Sequence, residues 1–358
     1  MRDSMYLNAI NSVLGPGSLA SYEESANEVS AADAVAAEDA SSDTGSAEQE
    51  TTTEATYVIP TDKEYVLDSK INGGVIGSAI VSCVLMLAAI VGIIFYVRKK
   101  RRGAGFSILG GIMIYLLFFY MAVNSVTNMA FSYPLRGLAD NKMAITFIAA
   151  FLGSAIPVGG RILSLYVFKQ RYSSVGDRLY FGLGMMITEG VISIMNMFLL
   201  VVSCYTINST GAATLLDVPQ STGETLMSTI ETMLSYTPVY IISTLVISIS
   251  YMCFHVALTL PLLGAYTKRI SGWWFAFCFG SYFVLELLRY LTSSKFMPIF
   301  ASAMITALIV AVTVYIAIRM YNKVFKDDED PIAQKKEKEE EAVKQSKHIP
   351  RFDNLKDL

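Results

Sequence analysis

Residues 73–102 read GGVIGSAIVSCVLMLAAIVGIIFYVRKKRR: 25 residues without a charge, closed by five consecutive basic side chains. About 20 mainly apolar residues carry a helix across the hydrocarbon core of a bilayer. A soluble core helix of this length would show a polar face, and this one has none. The stretch is therefore a membrane span. Arg98-Lys99-Lys100-Arg101-Arg102 fixes its carboxy-terminal end in the cytoplasm by the positive-inside rule.

Working outward, six more apolar stretches of sufficient length follow, at 106–131, 143–168, 179–206, 238–265, 273–293 and 298–321. With the first, 73–97, they predict an all-α, polytopic bundle of seven helices. Alternation then requires basic loops at 169–178 and 266–272. The first holds Lys169, Arg171 and Arg178, and the second Lys268 and Arg269. The last span exits at Arg319, Lys323 and Lys326, whereas the longest opposite loop, 207–237, holds Asp217, Glu224 and Glu231 and no Lys or Arg. This charge pattern places the amino terminus outside and the carboxy terminus in the cytoplasm. The first span, with no cleavable signal before it, is expected to carry its own amino terminus across.

Three regions result: an extracytoplasmic tail at 1–71, a membrane domain at 72–322 and a charged cytoplasmic tail at 323–358. Residues 1–70 carry 14 acidic and 3 basic side chains. From Ser25 to Thr56 the composition is Ala, Ser, Thr and Glu, too little apolar surface to offset the entropy of ordering. A short apolar run, Tyr57–Pro60 with Tyr65–Leu67, is the part of this tail able to dock on the membrane domain. In the other tail, Ile332 to Lys347 has Glu and Lys at helical spacing.

Only 16% of residues are charged, against roughly 25% in soluble domains, and they crowd into tails and loops. No basic stripe interleaved with aromatics suggests nucleic acid; the lipid bilayer is the partner that composition implies. Cys83, Cys204, Cys253 and Cys278 sit singly in apolar stretches, without the close pairing of metal sites or disulfide frameworks. No phosphate-binding loop, dinucleotide fingerprint, Cys-x-x-Cys or His-Glu-x-x-His is present. Asn208-Ser209-Thr210 has the form of a glycosylation sequon on the outer side.

Charges inside a bilayer are costly and face a partner or a wet cavity. Five occur here: Arg161 in the third span, Glu189 in the fourth, His255 in the fifth, and Glu286 with Arg289 in the sixth. At about 1.5 Å per residue, Glu189 and His255 lie at one level near the midplane, Arg161 nearer the cytoplasm and Glu286 and Arg289 nearer the outside. Glu189, Ser193 and Asn196 share one helical face, as do Ser248, His255 and Thr259. Asn124 and Asn128 stack in the second span. Glu286 and Arg289 can pair within their own helix, and Arg161 reads as the counter-ion of Glu189. Pro157 frees the carbonyl of Gly153 and is expected to kink the third span, while Gly159-Gly160 permits close helix approach. These side chains (Arg161, Glu189, Ser193, Asn196, His255, Thr259, Glu286 and Arg289) predict a polar core.

The stretch Gly153-Ser-Ala-Ile-Pro157-Val158-Gly159-Gly160-Arg161, then Tyr166-Val-Phe168 and a basic loop, then Gly182-Leu183-Gly184-Met185-Met186-Ile187-Thr188-Glu189, and later Phe254-His255 with Thr259, resembles the YhfC family of bacterial membrane proteins. That family is grouped with CAAX-protease-like intramembrane metalloproteases, and the likeness covers most of residues 73–320. The resemblance implies a bacterial plasma membrane and a zinc-dependent peptidase site. The family's Glu-Glu-x-x-Arg reads Pro157, Val158 and Arg161 here. In its Gly-His-Gly-x-x-Glu, Glu189 is retained but the histidine reads Met185. His255 is retained, and the final helix has no histidine, only Ser281 and Glu286.

A catalytic zinc takes about three nitrogen or carboxylate ligands plus a water, and a further carboxylate as base. This chain has two histidines, one of them, His348, in the cytoplasmic tail. Glu189 and His255 are thus the candidate catalytic and metal-binding residues, and zinc enters only if the protein is catalytic. The expectation is a non-catalytic, pseudoprotease-like protein binding a lipid, peptide or membrane partner in its polar core. An active intramembrane peptidase with a reduced site, and a transporter or permease subunit using Glu189 and His255 as a relay, stand as alternatives.

Overall fold

A computed structural model describes residues 59–100, 103–132, 141–167, 174–216 and 220–326. The acidic stretch 25–56, the helix expected at 332–347, and the loop residues Arg101, Arg102, Lys169, Arg171 and Asp217 lie outside them. Among the described residues every regular element is helical, and seven helices are long and apolar enough to cross a membrane. The chain is an all-α, multi-pass integral membrane protein.

The first span, α1, runs Gly73–Lys100. The second, α2, is built of α-helical Gly105–Ile114, π-helical Tyr115–Ala122 and α-helical Val123–Ser132. Then come α3 (Lys142–Val167) and α4 (Val175–Thr210). A non-spanning α5 (Gln220–Leu234) follows, at the end of the bundle that loop charge assigns to the outside. The fifth span, α6, has two pieces, Pro238–Ala257 and Thr259–Tyr266. It is followed by α7 (Trp273–Ser293) and by α8 (Ile299–Met320), which continues as a π-turn over Tyr321–Phe325.

Local chemistry accounts for the ends. Ser174 caps α4 by accepting from the Asp177 backbone N–H at 3.0 Å, and Asp177 in turn accepts from the Ala104 N–H at 2.7 Å, fastening the α1–α2 link to the start of α4. Thr237 caps α6, with Pro238 in the first turn where its missing N–H costs nothing. Arg98, Lys99 and Lys100 close α1 at its negative dipole end. The interruption at Leu258 lies three residues before Pro261, which cannot donate to the Ala257 carbonyl. Pro157, by contrast, sits inside an uninterrupted α3.

The centre of the bundle is α6, two-thirds buried over its most apolar window. It packs on α8, α4 and α1; α2 lies on α4, and α3 on α7. The α2–α4 crossing is made by glycine. A Cβ on Gly111 would strike the carbonyl oxygen of Phe181, and one on Gly184 that of Ile108, so the two backbones meet with no side chain between them. Of the pair Gly159-Gly160, only Gly160 is at a close approach, against the ring of Phe118; Gly159 faces open space.

At the same end as α5, residues 59–72 form a strap. Val66 is fully buried and Ile71 nearly so. Asn208, near the outer end of α4, accepts from the Ile71 N–H at 2.7 Å and donates to the Ile71 carbonyl at 3.0 Å. Lys63 Nζ reaches Glu231 of α5 at 2.9 Å. The Asn208 amide is thus a clasp between the strap and α4. Beneath the strap, α5 buries Met227, Ile230 and Met233 at three-residue spacing.

Candidate functional site

The polar residues meet between α2, α3, α4, α6 and α7. Arg161, 3% exposed, donates from Nη1 to the His255 carbonyl at 3.1 Å and from Nη2 to His255 Nδ1. A guanidinium only donates, so Nδ1 is the acceptor and the ring proton resides on Nε2. That nitrogen is fully buried, has no hydrogen-bond partner, and lies 3.8 Å from Glu189 Oε2. The same carboxylate oxygen accepts from the Tyr115 hydroxyl. The result is a directional chain, Arg161 to His255 to Glu189, completed by Tyr115.

Each link has a local origin. The His255 carbonyl is one turn before the α6 interruption and also accepts from the Thr259 hydroxyl at 3.2 Å. Gly182 of α4 lets Thr259 approach, since a Cβ there would crowd its hydroxyl at 2.5 Å. In the π-helical turn of α2, Tyr115 and Phe119 stack with centroids 4.8 Å apart, and both set ring edges against His255, at 5.5 and 5.3 Å. The Arg161 guanidinium lies over the Phe119 ring at 5.3 Å, a cation–π contact. Wide π-turns recur at functional sites because they rotate side chains off the α-helical register.

Outward from this chain lies a cavity of about 40 Å³, room for a few waters and no more. Glu189, Tyr115, Phe119 and Pro157 form part of its wall, with Tyr251 of α6 and Tyr282, Glu286, Arg289 and Tyr290 of α7. Glu286 is 5% exposed; Tyr251 donates to its Oε1 at 3.4 Å, and Arg289 Nη1 stands 3.7 Å from its Oε2.

The sequence places Glu189 and His255 at one level, and the structure sets them within 3.8 Å. It differs over Arg161. Instead of Glu189, this side chain engages His255, whose carbonyl and ring nitrogen both lie within its reach. Thr259 joins the cluster through the His255 carbonyl, and Glu286 pairs with Arg289 as i, i+3 neighbours. Ser193 and Asn196 are half-buried on α4 and do not line the cavity, and Ser248 is buried farther along α6. Asn124 is half-buried on α2; the Asn128 side chain is outside the described residues.

Four tyrosines and Phe119 were not legible as site residues. A tyrosine in an apolar span reads as an interfacial or core aromatic, and no sequence signal marks an i→i+5 turn. Where the resemblance looks for acidic side chains, Pro157 faces the cavity and Val158 is in the main apolar core. Met185, in place of the histidine, is fully buried with Ile114, Tyr115 and Phe181.

Zinc does not fit this donor set. No three His, Cys, Asp or Glu side chains are grouped to hold a metal among the described residues, and the second ring nitrogen of His255 is taken by a cation. The four cysteines are free thiols, Cys204 and Cys278 buried and Cys83 and Cys253 half-buried. No protein-family model, curated protein or solved structure matches the chain.

Proposed function

We propose that this integral membrane protein is non-catalytic, a pseudoprotease-like scaffold of YhfC type whose polar core holds the bundle together while it binds a lipid, peptide or membrane-protein partner. One observation carries the reading: Arg161 holds both the carbonyl and Nδ1 of His255. The retained histidine is therefore a helix-to-helix clamp between α3 and α6, with its remaining nitrogen turned to Glu189. A peptidase needs an ion or base that can reach a scissile carbonyl, and a cavity of about 40 Å³ has no room for a peptide backbone, so the partner expected in the polar core meets the outside of the bundle instead. Replacement of the other metal-binding positions by Pro157, Val158 and Met185 supports the same conclusion.

The test is metal analysis of the purified, detergent-solubilised protein together with incubation against membrane-spanning peptides. The expected outcome is less than stoichiometric zinc and intact peptides. Stoichiometric zinc with cleavage that is lost in His255→Ala would overturn the proposal.

A further inference from the structure

Glu286 is a buried carboxylate held by long contacts alone. A carboxylate has about four lone-pair sites and is costly to bury without compensating hydrogen bonds. This one is 5% exposed, yet its two contacts are long: the Tyr251 hydroxyl at 3.4 Å and Arg289 Nη1 at 3.7 Å. It faces a cavity large enough for water. On the far side stands Glu189, which already has the Tyr115 hydroxyl and the His255 ring beside it. The fully buried Nε2 of His255 stands 3.8 Å from that same carboxylate, beyond hydrogen-bond distance. The two acids are thus unequally served: Glu189 has the close Tyr115 hydroxyl, and Glu286 has only long contacts and the cavity.

From this asymmetry we propose that Glu286 is an intramembrane proton-binding site, exchanging a proton with water in the cavity. In the step, a hydronium in the cavity gives its proton to a Glu286 carboxylate oxygen and is left as neutral water; the reverse returns the proton. The charged and titratable groups facing Glu286 are Tyr115 from α2, Glu189 from α4 and Tyr251 from α6, with Tyr282, Arg289 and Tyr290 on its own helix. From α3 come only Gly153 and Pro157, neither of which titrates. The Arg289 side chain is 43% exposed, and it stands about one turn from the outer end of α7, marking the side from which protons arrive. The site is independent of the partner-binding reading, since it asks nothing of a partner or a metal.

Infrared spectroscopy of the full-length protein in nanodiscs, from about pH 4 to about pH 9, spans the range in which buried carboxyl groups titrate. Wild type minus Glu286→Gln is expected to contain the stretch of one protonated carboxyl that appears on acidification and shifts in deuterium oxide. Wild type minus Glu189→Gln should lack it. Tyr251→Phe, which removes one hydroxyl and leaves the fold's volume unchanged, should shift the band's frequency without abolishing it. An identical band in wild type and Glu286→Gln overturns the proposal. So does an unshifted band in Tyr251→Phe, which decides the matter if Glu286→Gln fails to insert. Sodium binding with no carboxyl band at any pH overturns it as well.

Discussion

At the scale of single residues, the core is held by donors and acceptors matched in direction. Arg161→Lys keeps the charge but cannot span carbonyl and ring nitrogen together, and Arg161→Ala removes both bonds. Because Thr259 still donates to the His255 carbonyl, the group orphaned is Nδ1, at a cost of about 1–3 kcal/mol. Thermal unfolding followed with a thiol-reactive fluorophore, which reports when Cys204 and Cys278 become exposed, should show both variants melting earlier than wild type. Tyr115→Phe removes the hydroxyl on Glu189 and should cost about 1.5–3 kcal/mol, as expected for hydrogen bonds to charged groups, in the same measurement. What the sequence made legible at this scale was height. Rise per residue puts Glu189 and His255 at one level, but rotation about each helix axis is set by packing. Arg161 therefore meets His255 instead of Glu189, and the tyrosines went unread.

At the scale of elements, the spans were legible because a bilayer demands some twenty apolar residues and tolerates few charges. All seven spans have ends within a few residues of the expectation. The difference is largest at α4, helical from Val175 to Thr210 where hydropathy marked 179–206. Its ends are polar but capped and clasped, and hydropathy is blind to both. The same blindness hid α5, whose apolar positions are too sparse to raise the average. Glycine at the α2–α4 crossing supplies the prediction. Gly111→Leu or Gly184→Leu must move backbone against backbone and should destabilise by at least the 1–3 kcal/mol or so of ordinary overpacking. Gly280→Leu, at a position with open space around it, should melt close to wild type.

At the scale of the whole molecule, an odd number of spans leaves the two ends on opposite faces, and loop charge assigns the faces. Cysteines placed at Lys268 and at Glu224 test this with a membrane-impermeant thiol reagent. Glu224→Cys should label in intact cells and Lys268→Cys only after permeabilisation; the reverse pattern would invert the topology. The strap makes a second claim at this scale. Lys63→Glu opposes Glu231 and should speed proteolysis within residues 59–72, and Glu231→Lys in the same chain should restore resistance. The thermal effect should be small, about 0.2–1 kcal/mol, because both partners are partly exposed.

The 36 residues of α4 make a rod about 54 Å long at 1.5 Å per residue, nearly twice the roughly 30 Å hydrocarbon thickness. One end is grasped through Asn208 and the other is bolted through Asp177 to the α1–α2 corner, with Glu189 between. A continuous helix does not absorb a pull along its axis. Asn208 and Asp177 are therefore held at a fixed separation on opposite faces of the membrane, and Glu189 keeps a set depth between them.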